Sequence, residues 1–157
     1  FRRASRSRDH ALMRFLLDTH CWLWAVSAPE RLRHSGGEII ADPDNTVIFS
    51  AISALEIAIK VSLGKLTLPE HASDFVTSRV DALAMTVLPV YVSHALRVAS
   101  LPRHHGDPFD RLLVAQCQIE KVPLMTADEA IAAYNIDIIW VGDGRAPRRS
   151  RRTVTPT

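Results

Sequence analysis

Short apolar runs alternate with amphipathic segments along most of the chain. Apolar and β-branched runs predict strands at 14–17, 46–50, 86–88, 122–125 and 136–141. Apolar residues at helical spacing predict helices at 19–26, 53–63, 72–84, 93–101, 108–121 and 128–134, with shorter helical pieces at 29–33 and 37–41. Strands that alternate with helices in this way are typical of an α/β fold with a mostly parallel sheet.

Both ends of the chain depart from this alternation. Residues 1–12 hold Arg and Ser without the apolar stretch of a secretion signal, and an apolar run begins at Met13. We expect Met13 to be the natural start, and 1–12 to be a disordered or cloning-derived extension. Residues 143–157 are rich in Arg, Pro, Ser and Thr, which predicts a disordered basic tail that is solvated rather than bound to RNA. One folded domain over 13–142 remains.

Composition and charge narrow the class of protein. Apolar residues make up 47% of the 157 residues and charged residues 23%, which is an ordinary globular balance. No apolar run approaches the roughly 20 residues that span a bilayer, so we expect no membrane association. Cys21 and Cys117 lie in apolar segments without a C-x-x-C pair, which is typical of reduced thiols in a cytoplasmic protein.

The net charge of +2 is distributed unevenly. Residues 1–12 carry +3 and residues 145–157 carry +5, so the segment between them carries −6. A body with this charge argues against a broad basic surface for nucleic acid. It permits an acidic pocket that needs cations.

Five acids fall at one predicted edge of the sheet. Asp18 ends the first strand, Glu56 lies near the start of the helix after the second strand, Asp107 and Asp110 open a helix, and Asp128 follows a later strand. In parallel α/β folds the carboxyl ends of the strands and the N-termini of the following helices lie at the same edge. We therefore expect these acids to lie close together, although they are far apart in sequence.

Each acid also has a purely structural explanation. Asp18 and Asp107 are suited to cap the helices that follow them, and Glu56 is spaced to pair with Lys60. Residues 126–129 match a T-x-x-E capping box. Capping does not require the acids to meet, so their common edge favours a site over separate structural roles.

Clustered carboxylates call for a cation, because several of them within a few ångström would otherwise repel one another. Oxygen ligands suit Mg²⁺ or Mn²⁺, and the sequence lacks the H-E-x-x-H and paired C-x-x-C patterns of zinc sites. It also lacks the P-loop pattern and the G-x-G-x-x-G and G-x-S-x-G motifs. A carboxylate-held metal that retains waters is the machinery of phosphodiester hydrolysis.

Four segments carry a family resemblance. They are RFLLDTHCWLW (14–24), FSAISALEIAIKVSLGKL (49–66), LPRHHGDPFDRLLVAQC (101–117) and PLMTADEAI (123–131). With these segments the chain resembles the PIN-domain ribonucleases and, among them, the VapC-type toxins of bacterial toxin–antitoxin pairs. The resemblance covers nearly all of 13–141, and DPFDRLL is its most specific part. It implies a three-layer α/β/α fold around a mostly parallel sheet.

The resemblance implies roles for the acids. Asp18 and Asp110 would be the primary metal ligands. Glu56 would bind the metal directly or through water and help to orient the attacking water. Asp128 would complete the pocket.

The resemblance also implies supporting residues. Thr126 would fix a neighbouring carboxylate or phosphate by a hydrogen bond. We interpret Asp107 mainly as a helix cap that supports the site, and Arg111 as its ion-pair partner four residues on. His104 and His105 precede this helix, where a role at phosphate and a plain loop role are equally compatible with the sequence.

We therefore expect a Mg²⁺- or Mn²⁺-dependent endoribonuclease. By resemblance it would be a toxin that inhibits translation, forms a homodimer and is inhibited by a small cognate antitoxin that places a basic or aromatic segment at the acidic pocket. Two alternatives remain open: a nuclease acting on structured DNA or rRNA precursors, and a non-catalytic interaction module of the same fold.

Overall fold

A single parallel sheet forms the centre of the molecule. The computed structural model describes residues 12–148. Its strands are β1 (Arg14–Leu17), β2 (Thr46–Ser50), β3 (Thr86–Leu88), β4 (Leu124–Thr126) and β5 (Ile138–Trp140). They are ordered β3-β2-β1-β4-β5, and each neighbouring pair is parallel. The predicted α/β fold is confirmed, and in the described residues the sheet is wholly parallel.

Helices connect the strands and cover both faces of the sheet. They are α1 (Thr19–Ser27), α2 (Gly36–Ala41), α3 (Ala51–Ser62), α4 (Ala72–Ala82), α5 (Val92–Arg97), α6 (Pro108–Glu120) and α7 (Glu129–Ala132). Short 3-10 turns follow α1 and α5 at Pro29–Arg31 and Val98–Ser100. Every predicted helical segment is present, with ends that differ by a few residues.

Local hydrogen bonding explains where several elements begin and end. The predicted helix at 53–63 starts two residues earlier, because Ser50 caps it by accepting the Ile52 backbone N–H at 3.1 Å. Gly64 follows its end with a φ of 70°, a left-handed conformation that glycine adopts without strain. The last predicted strand is shorter than expected, because pairing with β4 is confined to Ile138–Trp140.

The alternating strand residues build two cores, one on each face of the sheet. One face packs on α6 and α7 and presents Leu16, Ile48, Leu124 and Ile138. The opposite face packs on α1, α2 and α4 and presents Phe15, Leu17, Val47, Phe49, Met125 and Ile139. Trp22 of α1 is fully buried there, with its ring centroid 4.9 Å from that of Phe49. This produces the three layers implied by the resemblance.

The strand order defines a crevice between β1 and β4. The chain proceeds from β1 through β2 to β3 on one side of the sheet and then crosses to β4 and β5 on the other. Parallel α/β sheets bind ligands outside the carboxyl ends of the strands at such a reversal of order. The carboxyl ends of β1 and β4 are therefore the place where the topology predicts a site.

The described residues extend a little beyond the predicted domain. Asp143 accepts a hydrogen bond from Arg33 at 3.0 Å, and Ala146 packs against one of the cores. Residues 1–11 and 149–157, which hold most of the two predicted extensions, lie outside the described residues. The division into one domain with two disordered ends stays a prediction. No helix within 12–148 is long and apolar enough to cross a membrane.

Candidate active site

Asp18 lies at the carboxyl end of β1, at the predicted crevice. It caps α1, since its Oδ1 accepts the Cys21 backbone N–H at 2.7 Å. Its Oδ2 accepts the Thr126 hydroxyl, at the end of β4, at 2.5 Å. The residue is only 3% exposed, and burial raises the pKa of Asp18 while the hydrogen bond from Thr126 opposes that rise. The Asp18 carboxylate therefore caps α1 and also lies at the candidate site.

Glu56 reaches the same edge from α3 and is almost completely buried, at 2% exposure. Its Oε2 accepts a hydrogen bond from Lys60 at 2.6 Å, which confirms the predicted pair on one helix face. Its Oε1 is buried and has no hydrogen-bond partner in the described structure. Buried carboxylate oxygens are nearly always satisfied, so an oxygen without a partner points to a ligand that the protein chain does not supply.

Asp107 and Asp110 open α6, where Pro108 occupies the first helical position. Asp107 is the N-cap, and its Oδ1 accepts the backbone N–H groups of Phe109 at 2.9 Å and of Asp110 at 3.0 Å. Asp110 is left with a carboxylate that is not used for capping. Its Oδ2 lies 3.2 Å from His105 Nε2.

The pKa of Asp110 depends on the charges of the neighbouring acids. Burial raises the pKa of Asp110 to about 6, with further contributions from the charges of Asp107, Asp18 and Glu56, while the hydrogen bond with His105 lowers it. Asp18 precedes α1, Glu56 belongs to α3 and the other two acids open α6, so residues from three elements share one electrostatic environment. Burial and the neighbouring charges make the ionisation of Asp110 less favourable than in water, and a bound cation would oppose both effects.

Asp128 occupies the same edge but is more exposed than the other acids. Its backbone N–H donates to Thr126 Oγ1 at 3.0 Å, and its Oδ1 caps α7 by accepting the Ala130 N–H at 2.8 Å. It is not among the groups that raise the pKa of Asp18 or Asp110. The predicted 126–129 capping box is not formed, because Asp128 caps α7 and the Thr126 hydroxyl donates to Asp18.

Arg111 does not form the predicted pair with Asp107. In the described structure its guanidinium donates to the carbonyl oxygen of Pro102 at 2.8 Å and to the Tyr134 hydroxyl at 3.0 Å. The Asp107 carboxylate is instead used on the N–H groups at the start of α6. Sequence reasoning also missed Tyr134, which is 23 residues beyond Arg111 and carries no local signal of its position beside His105.

The carboxylates of Asp18, Glu56 and Asp110 each form hydrogen bonds within the protein. Among residues 12–148, no three His, Cys, Asp or Glu side chains are arranged to hold a metal ion. Asp18 accepts a hydrogen bond on each of its oxygens, from Cys21 and from Thr126. Glu56 and Asp110 each use one oxygen, for Lys60 and for His105. The donor set itself consists of carboxylate oxygens, which fits a hard divalent cation, and the unsatisfied Oε1 of Glu56 provides an oxygen for it.

Comparisons with known proteins agree with this fold. A family model for the PIN domain matches residues 15–137. A search of curated protein sequences gives no match. A similar solved structure is that of VapBC2 from Rickettsia felis bound to a DNA fragment from their promoter, with 16% identity and a TM-score of 0.55 over 74% of this chain and 89% of that chain. FitAcB from Neisseria gonorrhoeae matches at 21% identity and a TM-score of 0.48, over 74% and 89%.

Proposed function

Because the chain belongs to the PIN-domain family, a family of nucleases, we propose that it is a Mg²⁺- or Mn²⁺-dependent endoribonuclease. The observation that carries this proposal is the convergence of Asp18, Glu56 and Asp110, from three elements, near one another, with the buried Glu56 Oε1 left without a protein partner. Buried acids that repel one another destabilise a protein unless they serve a ligand. Such a set of acids supports the hydrolysis of phosphodiester bonds, and the resemblance to VapC-type toxins favours RNA as the substrate.

In this proposal Asp18 and Asp110 hold the cation, and Glu56 contributes the oxygen that lacks a protein partner. When bound, Mg²⁺ or Mn²⁺ would activate water and neutralise charge on the phosphate. Thr126 keeps Asp18 oriented through its 2.5 Å hydrogen bond. Asp128 is the weakest member of the set, because it is exposed and its charge is not among those that raise the pKa of Asp18 or Asp110.

Lys60 has a defined place in the proposed reaction. Its ammonium lies 2.6 Å from Glu56 Oε2 and holds that oxygen in place. The other oxygen of Glu56, Oε1, is then able to accept a hydrogen bond from the attacking water. Lys60 thereby positions the Glu56 carboxylate for this role.

We further propose that the protein is the toxin of a toxin–antitoxin pair and inhibits translation by cleaving RNA in the cytoplasm. The motifs that resemble VapC-type toxins support this role, and one of the similar structures is that of VapBC2 bound to a DNA fragment from the promoter. A small antitoxin with a basic or aromatic segment would complement the acidic edge and the body charge of −6. The same resemblance supports a homodimer.

The decisive experiment incubates the purified protein with RNA and with DNA in the presence of Mg²⁺, Mn²⁺ or EDTA. We expect metal-dependent cleavage of RNA that EDTA abolishes. Preferential cleavage of DNA or of structured precursors would favour the alternative substrate. No cleavage of either nucleic acid under any metal condition would favour a non-catalytic interaction module.

Asp18→Asn and Asp110→Asn test the assignment of the site. Each is expected to lower RNA cleavage by at least about a hundredfold, because a metal ligand is removed while the shape of the side chain is kept. Asp81→Asn changes an exposed acid of α4 whose charge is not among the causes of the pKa shifts of Asp18 and Asp110, and it is the matched control, with activity equal to the wild type. Undiminished cleavage by either site variant, with folding verified by circular dichroism, would refute the assignment.

A further inference from the structure

A series of hydrogen bonds leads from a partly buried arginine to the candidate site. Tyr134 is buried, at 1% exposure, and its Oη lies 3.0 Å from Arg111 Nη1 and 2.8 Å from His105 Nδ1. The other ring nitrogen of His105, Nε2, lies 3.2 Å from Asp110 Oδ2. The order of contacts is therefore Arg111, Tyr134, His105 and Asp110.

The guanidinium of Arg111 determines which group donates and which accepts in each of these hydrogen bonds. A guanidinium only donates hydrogen bonds, so the hydroxyl oxygen of Tyr134 accepts from Arg111. The hydroxyl proton is buried and requires an acceptor, and in the described structure the remaining partner of Oη is His105 Nδ1. A neutral His105 must then carry its own proton on Nε2, which donates to the Asp110 carboxylate.

We propose that His105 is a positioning residue that holds the Asp110 carboxylate in the orientation needed for a divalent cation. This inference rests on the proposed metal-dependent nuclease and deepens it. Tyr134 contacts one ring nitrogen of His105 and the Asp110 carboxylate contacts the other, so the two partners together set the tautomer and the orientation of the ring, and His105 engages only Oδ2 of Asp110. Within the described residues Oδ1 of Asp110 has no hydrogen-bond partner, and it is the oxygen left for the cation.

Arg111, at the end of this hydrogen-bond series farthest from Asp110, is held by several further contacts. Arg111 also donates to the carbonyl oxygens of Pro102 at 2.8 Å and of Val98 at 3.2 Å, which belong to the connection between α5 and α6. One arginine thus binds this connection and the tyrosine at the same time. A ring held by such a partner orients a carboxylate better than a ring in a free loop, because less side-chain freedom is lost when the ligand binds.

The tautomer of His105 is tested first, in the full chain and without metal. Long-range ¹H–¹⁵N correlation spectra at mildly alkaline pH distinguish the two neutral forms of each imidazole. We expect the Nε2–H form for His105 in the wild type and a larger share of the Nδ1–H form in Tyr134→Phe, which removes the hydroxyl that donates to Nδ1. A wild-type ring protonated on Nδ1 would show that His105 does not donate to Asp110 and would overturn the positioning role.

Binding of Mn²⁺, measured by titration calorimetry on the full chain, tests the consequence. His105→Gln places an amide donor near the Nε2 position, whereas His105→Asn places its donor near Nδ1, too short to reach Asp110. We expect His105→Asn to weaken Mn²⁺ binding by about 10–100-fold and His105→Gln to remain close to the wild type. His71→Ala is the control, because His71 is exposed at the start of α4 and its side chain makes no capping hydrogen bond.

The possible outcomes separate the two claims. Equal Mn²⁺ affinity of the wild type and His105→Asn, or equal loss in His105→Asn and His105→Gln, would overturn the positioning role alone. A wild type that binds no Mn²⁺ would overturn the proposed metal-dependent function and the positioning role together. Thermal unfolding of each variant identifies any loss that comes from misfolding.

Discussion

At the scale of single residues, the candidate site consists of carboxylates whose local and collective roles differ. Asp18 caps a helix and Glu56 pairs with Lys60, which are the purely structural roles that the sequence predicts for these two residues. Their burial and their effect on Asp110 go beyond those explanations, because neither a cap nor a surface pair needs to be buried. The charges of Asp18 and Glu56 both act on Asp110 and raise its pKa. The ionised Asp110 side chain therefore lowers the stability of the folded protein, and this effect can be measured.

Removing the charge of Asp110 is expected to stabilise the metal-free protein. Its pKa of about 6 in the folded state exceeds the ordinary value of 3.8, so the folded state binds more protons between these values and stability falls as pH rises through that range. Asp110→Asn should raise the free energy of unfolding at pH about 7.5 by about 1–3 kcal/mol. Urea denaturation in EDTA measures this gain, which should vanish below pH about 4. A variant less stable than the wild type at both pH values would contradict the prediction.

At the scale of elements, the N-terminus of α6 combines a structural and an electrostatic role in neighbouring residues. Asp107 accepts two backbone N–H groups and at the same time raises the pKa of Asp110 through its charge. The negative charge at this helix end is favoured by the helix dipole but opposed by the nearby acids. Two substitutions separate these contributions.

Asp107→Asn and Asp107→Ala should differ in stability. Asn caps a helix about as well as Asp, whereas Ala leaves the N–H groups of Phe109 and Asp110 without their acceptor. We expect Asp107→Ala to be about 1 kcal/mol less stable than Asp107→Asn in urea denaturation. We also expect Asp107→Asn to lower the pKa of Asp110, which is followed through its carboxyl ¹³C shift during a pH titration. Equal stability of the two variants would show that Asp107 does not act as a cap.

At the scale of the whole molecule, the strand order assembles the site. The reversal between β1 and β4 places the ends of these strands side by side, and the 2.5 Å hydrogen bond between Thr126 and Asp18 spans that junction. Helices α3 and α6 then bring Glu56 and Asp110 to the same edge. Membership of the PIN-domain family, expected from the sequence motifs, is confirmed by the family model over residues 15–137.

A cation bound at this edge should stabilise the entire domain. A ligand at about 100 times its dissociation constant contributes about 2.7 kcal/mol to the folded state when it does not bind the unfolded chain. Mn²⁺ should therefore raise the thermal unfolding midpoint of the wild type in differential scanning calorimetry. Asp18→Asn should show little of this increase, whereas Asp81→Asn should retain it. An equal increase in all three proteins would place the binding of Mn²⁺ outside the candidate site.

The sequence by itself determined the alternation of strands and helices, the family and the residues that carry the candidate chemistry. These follow from signals within a few residues: apolar periodicity, helix caps such as Asp107 and the DPFDRLL motif. The exact ends of several elements were missed, because they depend on strand pairing and on single hydrogen bonds such as that between Ser50 and Ile52.

Only the tertiary structure decided which partner each side chain finds. Arg111 binds Tyr134 and loop carbonyls instead of Asp107, and Thr126 donates to Asp18 instead of forming a capping box. A sequence shows neighbours along the chain, whereas hydrogen bonds are formed with whichever group the packed strands and helices bring within about 3 Å. The pairing of distant side chains is a property of the fold, and it sets the burial and charge of the candidate site.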